Sequence, residues 1–257
     1  MLSLVDTHAH LDEIEDVAAA LAEAQAAGVT AIVAVGQDMA SNRKVLELAA
    51  AYPVNVLPAL GYHPWNIRRE TIDATLAFIE DNAEAAVAVG EIGLDYHKRV
   101  RAVAEKDLQK EVLRDLLDIA KRKGKTVSLH TRYAWRDALE LVQASGVPNA
   151  VFHWYTGPSS VLRDIISGGY YLSITPAVTY HEEHRRAAKE APLSRLLLET
   201  DAPVVYGRGR EHEFTAQPKD VTKVLTALSV LKKTDASTLA VTTTESAFRL
   251  FRQKNTG

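Results

Sequence analysis

Val5-Asp6-Thr7-His8-Ala9-His10-Leu11-Asp12 reads as a short apolar strand that ends in two histidines. On a strand, residues i and i+2 point to the same side, so His8 and His10 present two ring nitrogens to one region of space. A strand can offer a metal half a coordination shell in this way, and the same spacing also occurs as a plain polar strand end. The distinction depends on whether partners arrive from elsewhere in the chain.

Outward from that stretch, short β-branched runs alternate with longer segments of helical period, the pattern of parallel strands joined by helical crossovers. Strands are predicted at 2–7, 30–36, 54–60, 85–91, 126–130, 150–153, 170–175 and 196–200. Helices are predicted at 14–27, 41–51, 71–82, 103–123, 134–144, 159–167, 182–191 and 218–231, with a last one at 237–252. Eight βα units in 257 residues, with no linker and no internal repeat, predict one α/β domain over 1–257, a (β/α)₈ TIM barrel, with a doubly wound open sheet as the competitor.

Composition narrows the chemistry. Apolar residues make up 47% and charged residues 25% of the chain, ordinary for a protein able to bury a large core. With no cysteine, a metal would have to take imidazole and carboxylate ligands. No basic leader or membrane-length apolar run is seen, so a cytoplasmic protein with no membrane association and no obligate protein partner is expected. The formal charge of −3 argues against a surface that is basic overall, while leaving room for a basic patch.

In such barrels functional groups sit at the carboxyl ends of strands. His8 and His10 end the first strand, Glu91 and Asp95 the fourth, His130 and Arg132 the fifth, His153 the sixth and Asp201 the eighth. Acids and imidazoles at the ends of apolar strands are costly unless paired or metal-bound, so chance placement at so many ends is improbable.

Taken together, Asp6 to Asp12, Gly61-Tyr62-His63-Pro64, Gly90-Glu91-Ile92-Gly93-Leu94-Asp95-Tyr96, Leu129-His130-Thr131-Arg132, His153 with Gly157, Leu198-Glu199-Thr200-Asp201-Ala202-Pro203 and Thr243 to Phe251 carry a specific resemblance. Nearly end to end, the chain resembles the TatD family of metal-dependent DNases, within the amidohydrolase-type barrels. The resemblance implies two divalent cations (Zn, Mn, Mg, Fe or Co). His8, His10 and Asp201 would hold one, His130 and His153 the other, with Glu91 between them. It also implies hydrolysis of single-stranded or frayed DNA, as an exonuclease. Compatible chemistry follows: a carboxylate can bridge two cations, and Asp201 beside an activated water can take its proton, so Asp201 and Glu91 are the expected catalytic pair. The same ligand set can also activate water against a carbonyl ester, lactone or amide, including a D-aminoacyl ester on tRNA, which stands as the alternative.

One departure touches the substrate pocket. The family usually has Cys-Phe-Ser after the sixth-strand histidine, and here the run is Trp154-Tyr155-Thr156. Arg68, Arg69, Lys98, Arg99, Arg101, Arg132, Arg208 and Arg210 fall in loops expected at the mouth, against few acids, and a cationic rim would attract phosphates. Trp65, Tyr96, Trp154 and Tyr155 are expected nearby as stacking surfaces. His63, Arg68, Tyr96, Arg99, Arg132 and Trp154 are therefore the expected substrate contacts. His97, His181, His184 and His212 read as solvated residues. His181-Glu182-Glu183-His184 has one residue too few between its histidines for a zinc-protease helix.

Overall fold

A computed structural model describes residues 2–251. Eight strands run parallel and in sequence order, β1 (Leu4–Ala9), β2 (Val29–Val35), β3 (Val56–Leu60), β4 (Ala88–Asp95), β5 (Thr126–Arg132), β6 (Ala150–Phe152), β7 (Tyr171–Ile174) and β8 (Leu196–Leu198). β8 returns to β1 through an Ala9–Ala202 bridge, an Asp201 N–H to His8 carbonyl bond of 2.9 Å and a His10 N–H to Ala202 carbonyl bond of 2.7 Å. Sequential order with first and last strands in contact is a barrel and excludes the doubly wound sheet.

The crossovers are α1 (Val17–Ala26), α2 (Met39–Ala51), α3 (Ile72–Asn82), α4 (Lys98–Arg101), α5 (Lys106–Arg122), α6 (Trp135–Ser145), α7 (Ser159–Ser167), α8 (Glu182–Glu190) and α9 (Val221–Lys232), followed by α10 (Ala236–Phe251). Their starts follow ordinary capping chemistry: Asp16 accepts the Ala19 N–H at 2.9 Å, and Asp38 with Ser41 forms a reciprocal box at the start of α2. Among the described residues no helix is long and apolar enough to cross a membrane.

Element existence matches the sequence reading more closely than element boundaries do. The helix expected over 103–123 begins only at Lys106, behind the separate turn α4. The fourth strand is displaced toward its carboxyl end, because Ala83–Ala85 form a 3₁₀ turn that uses up the expected strand start. Val54, expected to open β3, lies in a turn and is 72% exposed. A small hairpin, β9 (Val205–Tyr206) with β10 (Phe214–Thr215), follows β8 and was not anticipated. The last residue of the expected 237–252 helix, and the ends of the expected 1–257 domain, lie outside the described residues.

Two apolar layers position the site. The larger fills the space between strands and helices. The smaller joins Val5, Val33, Ala59, Ala88, Val151 and Leu197 from the strands to Ala247, Leu250 and Phe251 of α10, so the last helix plugs the amino end of the barrel. The Thr126 hydroxyl donates to the Leu250 carbonyl at 2.7 Å and the Thr244 hydroxyl to the Ser3 carbonyl at 2.7 Å, fixing that plug.

Candidate metal centre

The carboxyl end is built differently. The β1–β2 register shifts between Asp6 and Ala9, and the β4–β5 register between Val89 and Ile92. His8 and Glu91 lie inside those irregularities, which re-aim side chains that regular alternation would send elsewhere. Gly61 and Gly93 make room for them. A Cβ on Gly61 would meet the Glu91 backbone N at 2.3 Å, and one on Gly93, at φ +146°, would meet the His130 carbonyl O at 2.0 Å.

Glu91 is buried at the centre, and its two oxygens divide the surrounding imidazoles. Oε2 faces His8 Nε2 at 3.4 Å and His10 Nε2 at 3.5 Å. Oε1 faces His153 Nε2 at 2.9 Å, His130 Nδ1 at 3.0 Å and His63 Nε2 at 3.4 Å. Asp201 Oδ1 stands 3.3 Å from His10 Nε2 and 3.6 Å from His8 Nε2. His8 and His153 stack with ring centroids 4.2 Å apart. Burial alone would raise the Glu91 carboxyl, but His63, His153, His8 and the His130 hydrogen bond outweigh it and hold Glu91 well below the carboxylate range. Asp201 is likewise lowered against burial by His10 and the neighbouring imidazoles. Burial disfavours a charged His10, yet Asp201 and Glu91 raise it to about 9.

The donor set suits a cation. His8 Nε2 is buried with no hydrogen-bond partner among the described residues, while two carboxylate oxygens stand just beyond bonding distance. His8, His10 and Glu91, or His8, His153 and Asp201, bring one ligand atom each within 4.8 Å of one another, and so do His63, Glu91 and His130. His63 is less suited than its position suggests, because its Nδ1 accepts the Trp65 N–H at 3.1 Å and leaves the proton on Nε2. Burial lowers its pKa to about 4, so at neutral pH it points a neutral N–H at Glu91.

Three of the facing imidazoles are held from behind. His8 Nδ1 lies 3.3 Å from Ser128 Oγ and His10 Nδ1 lies 3.0 Å from the Gln37 side-chain amide, whereas His153 Nδ1 has no hydrogen-bond partner among the described residues, the buried Glu199 carboxylate standing 3.6 Å away. Asp95 does the most. It takes the Nε2 side of His130 at 3.1 Å and accepts from Trp65 Nε1 at 2.6 Å, the His97 N–H at 2.8 Å and the Arg132 guanidinium at 2.8 Å. Burial raises the Asp95 carboxyl, and the His130, Arg132 and Trp65 bonds more than reverse it, leaving the group ionised far below its usual range.

A cavity of about 770 Å³ opens over this cluster and takes in some of the expected substrate contacts but not others. His63, Arg132 and Trp154 line it; Arg68, Arg99 and Tyr96 do not. Arg68 folds back, donating to the Trp65 and Ile67 carbonyls at 3.0 and 2.9 Å. Arg99 is exposed on α4, and Tyr96 donates its hydroxyl to Asp137 at 2.7 Å beneath the Lys106 ammonium. Arg208 and Arg210 also lie away from the lining, so Arg132 is the cavity's arginine, and its charge is shared with Asp95. Tyr155 is fully buried, with its hydroxyl on the Pro158 carbonyl. His184, expected in solvent, is buried too: its Nδ1–H donates to the Tyr155 carbonyl at 3.0 Å, and Nε2 accepts the Thr175 N–H at 3.1 Å. Sequence reasoning missed Glu13, Gln37, Tyr133, Trp135, His181 and Glu183 in the lining. Tyr133 and Trp135 were within reach of it, since they directly follow Arg132 on the fifth-strand loop.

A parallel barrel that gathers imidazoles and carboxylates around one carboxylate at its carboxyl mouth defines the class, a (β/α)₈ protein with a metal-type site. The chain belongs to the TatD related DNase family, whose pattern matches residues 5–252. It is 30% identical to Deoxyribonuclease TATDN3 of Homo sapiens, over 97% of this chain and 95% of that one. It is 34% identical to the metal-dependent hydrolase YabD of Bacillus subtilis, over 97% and 99%. The crystal structure of YJJV, a TatD homologue from Escherichia coli K12, superposes with a TM-score of 0.86 at 27% identity, covering 97% of this chain and 98% of that one.

Proposed function

We propose that this protein is a metal-dependent phosphodiesterase acting on DNA, with two divalent cations held by His8, His10, Glu91, His130, His153 and Asp201. The observation that carries the reading is the split at Glu91, whose Oε2 serves the β1 imidazoles and whose Oε1 serves those of β5 and β6. A carboxylate so placed is suited to bridging. When bound, such a cation pair lowers the pKa of water and clamps the attacking and leaving oxygens of a phosphoryl transfer. His8 and His10 with Asp201 form one side of the cradle, His130 and His153 the other, and Ser128, Gln37 and Asp95 fix ring orientation from behind. Asp201, kept ionised, accepts the proton of the attacking water. The guanidinium of Arg132, in the cavity lining, faces the anionic substrate, while the His63 N–H is turned to Glu91. A single-stranded or frayed end fits a closed-bottomed cavity better than a duplex running across it, which favours exonucleolytic cleavage.

The carbonyl alternative draws on a different observation: among the described residues one arginine lines the cavity, it is paired with Asp95, and Glu13 and Glu183 line it too. A neutral lactone, ester or amide would tolerate that wall. The deciding experiment offers protein loaded with Zn, Mn, Mg, Fe or Co to end-labelled DNA oligonucleotides, a lactone panel and aminoacyl-tRNA. Release of terminal nucleotides is expected. Turnover confined to the acyl substrates would replace the nuclease reading.

A further inference from the structure

The cavity wall is chemically divided. Carboxylates come from the segments that follow β1 and β7, as Glu13 and, at the start of α8, Glu183, whereas the carboxyl end of β5 and the segments that follow β3, β5 and β6 bring Trp65, Arg132, Tyr133, Trp135 and Trp154. A phosphate strand is repelled from the first side, so a nucleotide reaching the centre lays its base toward the second.

On that side Tyr133 and Trp154, the latter at φ 39°, both have left-handed backbones, and Tyr133 is the more exposed of the two. The Tyr133 backbone, at φ 59°, lies in a region that aromatic side chains rarely adopt, and the residue remains 60% exposed. A large ring left in solvent regains little from burial, so the packing of the ring does not account for the conformation. What the conformation does is hold the ring out at the cavity edge directly after Arg132. The ring is fixed on two sides, since Trp135 meets it edge-on with centroids 5.9 Å apart, and His97 lies nearly parallel to it at 6.4 Å. Trp135 in turn rests against buried Tyr155 at 6.5 Å. A ring oriented in advance loses little freedom on stacking.

We infer that Tyr133 is a specificity-determining residue, an aromatic platform on which the terminal nucleobase of a DNA strand stacks while its phosphate sits at the Glu91 cluster. The inference rests on the nuclease reading and adds to it the recognition of a base by its face, tolerant of which base is presented.

The test compares oligonucleotides whose terminal nucleotide is intact with the same strands made abasic there, at each end in turn. Two quantities are measured: cleavage by the metal-loaded enzyme, and equilibrium binding to the metal-free protein by fluorescence anisotropy. The wild type should prefer the intact end roughly 5- to 150-fold at the end it uses, the range of one aromatic–base stack. Tyr133→Phe should keep that preference, and Tyr133→Ala should bring the ratio close to one. A wild type that cleaves without preferring the base, or a Tyr133→Ala variant that keeps the preference, overturns the platform and leaves the nuclease reading standing. Preferential binding of the intact end with no cleavage under any metal does the reverse.

Discussion

The two ends of this barrel follow opposite rules. At the amino end the inward residues are apolar, and Phe251 and Leu250 of α10 close the opening. At the carboxyl end the register of β1 and β4 slips beside the ligand-type residues, and Tyr133, Trp154 and Asp201, at the ends of three strands, adopt positive φ without being glycine. Such conformations persist only where the surroundings over-determine them, and they cluster at functional sites. These left-handed residues gather at one end and the α10 plug closes the other, so substitutions at the two ends should fail in different assays.

The largest effect is expected from Asp201→Asn, which keeps size but removes both the negative ligand and the proton acceptor. Turnover should fall by at least roughly 10²- to 10⁴-fold with the unfolding midpoint nearly unchanged, measured on variants of matched metal content. Near-normal turnover would remove Asp201 from the chemistry. At the other end Phe251→Ala should do the converse, costing about 3–5 kcal/mol in guanidinium unfolding while the folded fraction keeps its specific activity. Equal damage to both properties would mean that the plug and the site are mechanically one unit.

Asp95→Asn probes the join between the two, because it weakens His130, Arg132 and Trp65 together. Metal affinity by calorimetry should drop roughly 10- to 100-fold, the usual range for a carboxylate behind a metal-ligating histidine. The same variant should blunt acid unfolding. Since its folded pKa is depressed, Asp95 contributes stability that is complete above the ordinary carboxylate value near 3.9 and is lost as pH falls toward the folded value, so the wild type should lose stability below about pH 4 more steeply than Asp95→Asn. The smallest effect should come from Arg132→Gln, which flattens the salt dependence of single-stranded DNA binding by about 0.7 in log–log slope for the one phosphate it ceases to neutralise. Arg68→Gln and Arg99→Gln should leave that slope alone, as neither side chain reaches the cavity.

What the sequence disclosed follows the same division. Eight strands and their order were legible because buried parallel strands are written as apolar runs, and the convergence of His8, His10, Glu91, His130, His153 and Asp201 followed from their places at strand ends. The substrate wall was not legible, since a loop residue's direction depends on backbone angles that composition does not encode. Arg68 looked cationic and free but turns onto its own loop, Tyr155 looked like a rim aromatic but is buried, and His184 looked solvated but bonds two backbone groups in the core. Asp95 was legible as an acid at the end of the fourth strand, but not as the acceptor that fastens His130, Trp65 and Arg132 together.

The seam between β1 and β8 gives the order of assembly a chemical meaning. Asp6 accepts the Thr200 N–H at 2.9 Å across a separation of 194 residues, and Asp201 meets the imidazoles of His8 and His10 at that same seam. During synthesis the first strand leaves the ribosome long before the partner that completes it, and α10 follows later still. Until β8 arrives, His8 and His10 have Glu91 beside them but not the second carboxylate. The complete set of charges that would activate water therefore exists only in a molecule whose barrel has already closed.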